Sequence, residues 1–356
     1  MKHLVTIIDG TWVSAADDSE QRFSNAYNLN WLLDSRAASG ATQVTFYYSG
    51  VGTEADASPG LAGLTGRGVD YLTREAYINL CSNYREDSGE PDRIYLFGFS
   101  RGAIVARALS GIIGHCGLLK SDRMYLFPQV WQAFTSGATL DGKLSGAVRR
   151  NVRVNFMGLF DCVFGSRNRS GRFHSLNFTS FDLAKCVDTA VHLVSLDDER
   201  AAFAPMMFEG KERAESRLEQ IWMPGVHSDV GGVYVEDQLG RVSLLTMADR
   251  IATYTDLAMD KASLARLTAR SQWLAKINDE MGRFWRMVPF GRVSRSPSLT
   301  APDQFLHPVV DELINGPKII YKRDGKRSYA PDHRFCDLPR FSGLRPETKF
   351  TDLLGL

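Results

Sequence analysis

Three things are scarce in this chain of 356 residues: net charge, regularly spaced cysteines and long apolar runs. With 42 Lys and Arg against 41 Asp and Glu the formal charge is +1, too little for a nucleic-acid binder held by phosphate contacts. The five cysteines, Cys81, Cys116, Cys162, Cys186 and Cys336, are odd in number and widely spaced. Neither a disulfide framework nor a zinc site fits them, and most of them read as small core residues of a protein made in a reducing cytoplasm. No apolar run approaches a membrane span. After Lys2 and His3 a short apolar strand is cut off by Asp9 with no cleavage site, which reads as the lack of a secretory signal peptide. There is no internal repeat, and the glycine loop Gly50-Val51-Gly52-Thr53 lacks the Lys-Ser/Thr ending of a P-loop.

What is present is alternation. Apolar strand patterns at Leu4–Ile8, Val44–Tyr48, Ile94–Phe97, Val152–Phe160, Val191–Val194 and Glu219–Met223 alternate with helical patterns at Asn25–Ala38, Gly68–Tyr84, Ala103–Gly114 and Asp182–Thr189. That order predicts an α/β fold with a mainly parallel twisted sheet and helices on both faces. Ser121–Arg150 reads as an excursion over the sheet edge. The length allows one large domain with an appendage. Residues 1–235 are expected to form the core, and 236–356 a helical and loop-rich extension packed on it, with helices at Val242–Thr255 and Leu257–Gly282. Phe284–Phe290 is read as core packing or, less readily, as an interfacial lid. Basic clusters at Arg149–Arg153, Arg167–Arg172 and Lys318–Arg327 read as solvated faces, with attraction to anionic head groups as the functional alternative.

The first chemical signal is Gly98-Phe99-Ser100-Arg101-Gly102, placed between a strand pattern and a helix pattern. G-x-S-x-G at that junction is a nucleophile elbow: the strained turn needs small residues, here Gly98 and Gly102, on either side of the serine. The alternative is a turn whose serine caps the helix. A serine nucleophile calls for a histidine base and an orienting carboxylate, in the chain order Ser, acid, His. Among His174, His192, His227, His307 and His333, the loop chemistry around Trp222-Met223-Pro224-Gly225-Val226-His227-Ser228-Asp229 favours His227. His192 reads as a strand or helix residue with a satisfied side chain, and the other three as surface residues. The acid expected is Asp161, at the end of an apolar strand and followed by apolar residues; Asp197, Asp198, Glu199 and Asp229 are its rivals. Asp229 is close enough to His227 to shape its loop, and Asp9 is a second supporting candidate. For the oxyanion hole the N–H of Arg101 is one donor, and that of Gly10 or Thr11 the other.

The blocks Ile8-Asp9-Gly10-Thr11-Trp12, Gly66-Arg67-Gly68-Val69-Asp70, Phe97-Gly98-Phe99-Ser100-Arg101-Gly102-Ala103, Gly158-Leu159-Phe160-Asp161-Cys162-Val163 and Gly225-Val226-His227-Ser228-Asp229-Val230-Gly231-Gly232 resemble, in that order, the α/β-hydrolase domain of type VI secretion phospholipase effectors. The resemblance covers roughly residues 4–235 and implies Ser100 as nucleophile, Asp161 as acid and His227 as base. Cys162 departs from the threonine usual there. What the resemblance implies is a phospholipase acting through an acyl-enzyme, without a cofactor. Its substrate would be phospholipid or another acyl ester, with peripheral membrane contact, an immunity or secretion-apparatus protein as partner, and no nucleic acid. It would be cytoplasmic where made and delivered to a target cell. The other readings are an intracellular esterase or acyl hydrolase, and a non-catalytic partner-binding module on the same fold.

Overall fold

The computed structural model describes residues 1–11, 23–50, 67–86, 89–164, 172–173, 176–177, 181–211, 213–269, 274–281, 291–317, 319–321, 325–350 and 354. Phe284–Phe290, Arg167–Gly171, His174 and Val51–Thr53 lie outside them.

Seven parallel strands form the centre: β1 (Lys2–Ile8), β2 (Thr42–Tyr48), β3 (Arg93–Phe99), β4 (Val154–Phe160), β5 (Val187–Ser195), β6 (Arg217–Met223) and β7 (Gln304–Leu306). Their spatial order is β7-β6-β5-β4-β3-β1-β2. The chain steps outward from β1 to β2 and then returns to β3 on the other side of β1. The carboxyl ends of β1 and β3 therefore border the point where the order reverses, the crevice in which such sheets place ligands.

Period-two alternation explains why both faces must be covered. Leu4, Ile94, Leu96, Val154 and Met157 point to one core with helices α2 (Arg67–Asn83) and α3 (Arg101–Cys116). Val5, Ile7, Tyr95, Phe97 and Phe156 point to the other, with α1 (Asn25–Leu32) and a helix at Gln238–Tyr254. The α/β expectation therefore holds, with helices on both faces.

Several local expectations do not hold. Helix α1 ends at Leu32 rather than Ala38, because Leu33 turns to an extended conformation and bridges to Met259. Asp182–Thr189 is no helix: β5 begins at Val187, and Asp188 on it pairs with Arg153, just ahead of the neighbouring β4. Among the described residues of Leu257–Gly282, helix is confined to Lys261–Leu267, and Lys276–Ile277 is strand. The excursion Ser121–Arg150, for which no secondary structure is expected, is largely helical, at Ser121–Leu126, Phe127–Ser136 and Gly142–Ala147. Arg149 is buried beside Glu86, at 3.3 Å, instead of solvated. His307 is buried too, not on the surface: it stands edge-on to Phe350 and 3.1 Å from the Thr246 hydroxyl. It follows directly on β7, which completes the sheet, and lies between Leu306 and Pro308. Among the cysteines, Cys81, Cys116, Cys162 and Cys186 are buried and Cys336 is exposed.

Candidate active site

Ser100 directly follows β3 with φ 58°, a left-handed conformation that a residue with a side chain rarely adopts. The turn is possible because its neighbours lack side chains. A Cβ on Gly98 would stand 2.5 Å from the Gly102 carbonyl oxygen, and one on Gly102 would stand 2.3 Å from that of Ile8. The hydroxyl makes no capping bond to the helix that begins at Arg101. It lies 2.9 Å from His227 Nε2 instead.

Asp161 directly follows β4, also in a left-handed conformation, φ 39°. Its Oδ2 is 2.6 Å from His227 Nδ1. The three residues thus meet at the carboxyl ends of the sheet although 66 and 127 positions separate the pairs. A donor Nδ1–H aimed at a carboxylate leaves the Nε2 lone pair facing Ser100, the tautomer a general base needs.

The imidazole is fixed on every side. Phe99 stacks on it at 4.9 Å between centroids and Phe203 meets it edge-on at 5.0 Å. Asp198 Oδ2 accepts the His227 backbone N–H at 3.1 Å, and Arg200 pairs with that carboxylate at 2.7 Å. Asp197 accepts from the Gly225 N–H and the Tyr329 hydroxyl, and Glu199 pairs with Arg292. The structure therefore sets Asp197, Asp198 and Glu199 to holding loops rather than to His227 Nδ1. Asp229 accepts the Val226 N–H at 2.9 Å and both N–H groups of Asn278 that face it. Burial pushes its carboxyl up to about 7, against the pull of those donors. His192 lies in the core, its Nε2 accepting the Cys162 N–H, and burial pushes its pKa down to about 3. His333 is exposed.

Asp9 is buried at the end of β1, where burial raises its carboxyl to about 6. It accepts from the Gly10 N–H at 2.7 Å and from the Tyr47 hydroxyl at 2.7 Å. The Gly10 N–H is thus turned to its neighbour's carboxylate, which leaves the Thr11 N–H as the candidate donor at the end of β1. Gly10 also packs flat on the Phe99 ring, which an added Cβ would enter at 2.5 Å. Among the described residues no three His, Cys, Asp or Glu side chains converge as a metal site would need, and no helix is long and apolar enough to cross a membrane.

One partner of Asp161 has no signal in the sequence. Arg295, buried and 134 residues beyond Asp161, donates to Oδ1 at 2.6 Å and to Oδ2 at 2.9 Å. Burial alone would raise the Asp161 carboxyl; the guanidinium first, and His227 after it, hold it well below the usual carboxylate range. Arg295 sits in Val293-Ser294-Arg295-Ser296-Pro297, where no periodicity or motif marks it.

Residues 2–250 of the chain match the family model of the catalytic domain of Tle1-like type VI secretion phospholipase effectors. An uncharacterized protein of Saccharomyces cerevisiae is 28% identical over 236 residues, which are 58% of this chain and 33% of that protein. The chain thus spans about a third of the length of that curated relative. An uncharacterized protein from Pseudomonas aeruginosa of known structure is similar at a TM-score of 0.48 and 18% identity, over 75% of this chain and 48% of the other. The structure of a Tle1 effector bound to the VgrG spike is similar at 0.39 and 21%, over 65% and 51%.

Proposed function

Because this chain belongs to the family of Tle1-like type VI secretion phospholipase effectors, we propose that it is a serine hydrolase cleaving the carboxylic esters of phospholipids. The observation that carries the reading is the unbroken relay from Ser100 Oγ through the imidazole to Asp161, at 2.9 and 2.6 Å. His227 Nε2 takes the Ser100 proton as Oγ attacks the ester carbonyl. The developing oxyanion is received by the N–H of Arg101 and, of the two donors considered at the end of β1, by that of Thr11. Collapse expels the alcohol, which takes the proton from His227, and leaves an acyl group on Ser100. Water, deprotonated by the same imidazole, releases the fatty acid and restores the serine. No step requires a cofactor.

Membership in the family also makes a secretion-apparatus spike or an immunity protein the expected protein partner. A chain made in the cytoplasm would then act on the lipids of a target cell. Incubation with mixed bacterial phospholipids followed by lipid mass spectrometry tests the substrate. Free fatty acid together with lysophospholipid is the expected result. Turnover of short soluble esters alone would identify an esterase instead. A non-catalytic binding module is tested by a fluorophosphonate probe: labelling that Ser100→Ala abolishes excludes it, and no labelling of the wild type would overturn the mechanism.

A further inference from the structure

We propose that Arg295 is a positioning residue of the hydrolytic site, one that keeps Asp161 ionised and His227 in its basic tautomer. The proposal rests on the Ser100–His227–Asp161 reading. Asp161 has four bonded partners and Arg295 supplies two of them. Oδ1 accepts from the Ser195 N–H and Arg295 Nη1, at 2.9 and 2.6 Å; Oδ2 accepts from His227 Nδ1 and Arg295 Nη2, at 2.6 and 2.9 Å. The guanidinium is itself held by the carbonyl oxygens of Ser195 and Phe203, at 2.7 and 2.6 Å. Both partners are buried, and the two-pronged geometry is the strong form of a charge-assisted pair.

The resting state explains why the pair matters. A basic imidazole is neutral, so without Arg295 the buried Asp161 carboxylate would face no full positive charge, a costly state that a proton relieves. A protonated Asp161 donates to Nδ1 instead of accepting from it. The imidazole hydrogen would then move to Nε2 and point at Ser100, and the base would be lost. Asp198 in turn accepts the His227 backbone N–H at 3.1 Å and pairs with Arg200, so two acid–guanidinium pairs, Asp161 with Arg295 and Asp198 with Arg200, flank the ring.

The test uses the full chain, a small soluble ester such as p-nitrophenyl butyrate, and near-UV circular dichroism to confirm folding. Arg295→Met should lower kcat by about a hundredfold, the scale expected when a catalytic group loses its orientation, with KM within about twofold. Arg295→Lys keeps the charge without the fork and should recover part of that loss. Arg295→Ala should regain turnover when guanidinium is added at millimolar concentration, because a cavity of about 470 Å³ reaches Arg295 past Ser294 and Asp197. Asp161→Ala should gain nothing from it. A folded Arg295→Met with wild-type kcat would overturn the proposal. Should that variant fail to fold, Arg295→Lys decides: wild-type kcat in that variant overturns the role of the fork, and a reduced kcat at unchanged KM supports it. Failure of the underlying reading is recognised separately, by full turnover in Ser100→Ala.

Discussion

Residues 1–235 and the residues that follow reach the same centre by different means. The first part places its groups by backbone: Ser100 and Asp161 are the residues immediately after β3 and β4, and Asp9 to Thr11 leave the end of β1. The second part reaches in with side chains. Asn278 bonds Asp229, Arg295 bonds Asp161 and Tyr329 bonds Asp197. Sheet register fixes where the strand ends lie, whereas a loop-rich segment reaches the site largely with side chains and must satisfy each one it buries. The two parts also share a core. β7 pairs with β6, and Phe335 packs on Trp222 at 4.8 Å.

The largest effects belong to the strand ends. Ser100→Ala should remove at least about a thousandfold of ester turnover, yet leave the melting temperature unchanged, since no buried charge loses its partner. Asp161→Asn should cost about ten-thousandfold, because an amide favours the wrong tautomer, and should also lower the melting temperature, because Arg295 is left buried with a neutral partner. Equal melting temperatures for the two variants would break the link drawn between the acid and the tail.

The shared core comes next. Phe335→Ala should destabilise the protein by about 3–5 kcal/mol in denaturant titration, the cost of emptying a buried aromatic site. Turnover per folded molecule should be unchanged. A loss below about 1 kcal/mol would mean the tail only rests on the core.

A smaller, pH-dependent effect should appear at His307. Its Nδ1 accepts the Val309 N–H, and burial pushes its pKa down to about 3, below the ordinary value of 6.5. The unfolded chain therefore binds a proton that the folded one refuses. The neutral ring contributes stability fully above the unfolded value, and that contribution is lost as pH falls from about 6.5 towards about 3. His307→Asn should be less stable than wild type at pH 7.5, and the gap should narrow by about 2 kcal/mol at pH 4.5. A gap independent of pH would contradict a buried neutral ring. At the other end of the scale, Leu299 is fully exposed, so Leu299→Ser should change stability by less than about 0.5 kcal/mol.

The same contrast governs what the sequence could reveal. Strands β1, β3 and β4 were legible because apolar runs end abruptly at Asp9, at the Gly98–Ser100 turn and at Asp161, and β6 because a shorter apolar run ends at Pro224. The fixed spacing of Gly98, Ser100 and Gly102 marked the elbow, and loop residues around His227 marked a strand end. Asp182–Thr189 misled because Asp188 and Thr189 interrupt the apolar pattern just where β5 begins. His307 misled because its burial comes from Phe350 and Thr246, which are distant in sequence. Arg295 left no trace at all: a pair across 134 residues leaves no local periodicity, and a lone arginine among serines looks like surface.

The ladder bonds that flank the site carry a last consequence. The Ser100 N–H donates to the Phe160 carbonyl at 3.0 Å, and the Asp161 N–H to that of Leu193 at 2.7 Å. These two amides are rungs of the central sheet, so neither can exchange its hydrogen with solvent by fraying of a loop. In deuterated water both should lose protection only with global unfolding. Ser100 and Asp161, the proposed nucleophile and acid, are thus tied to the slowest-opening part of the molecule, and any motion that admits the proposed substrate must come from the segments around them.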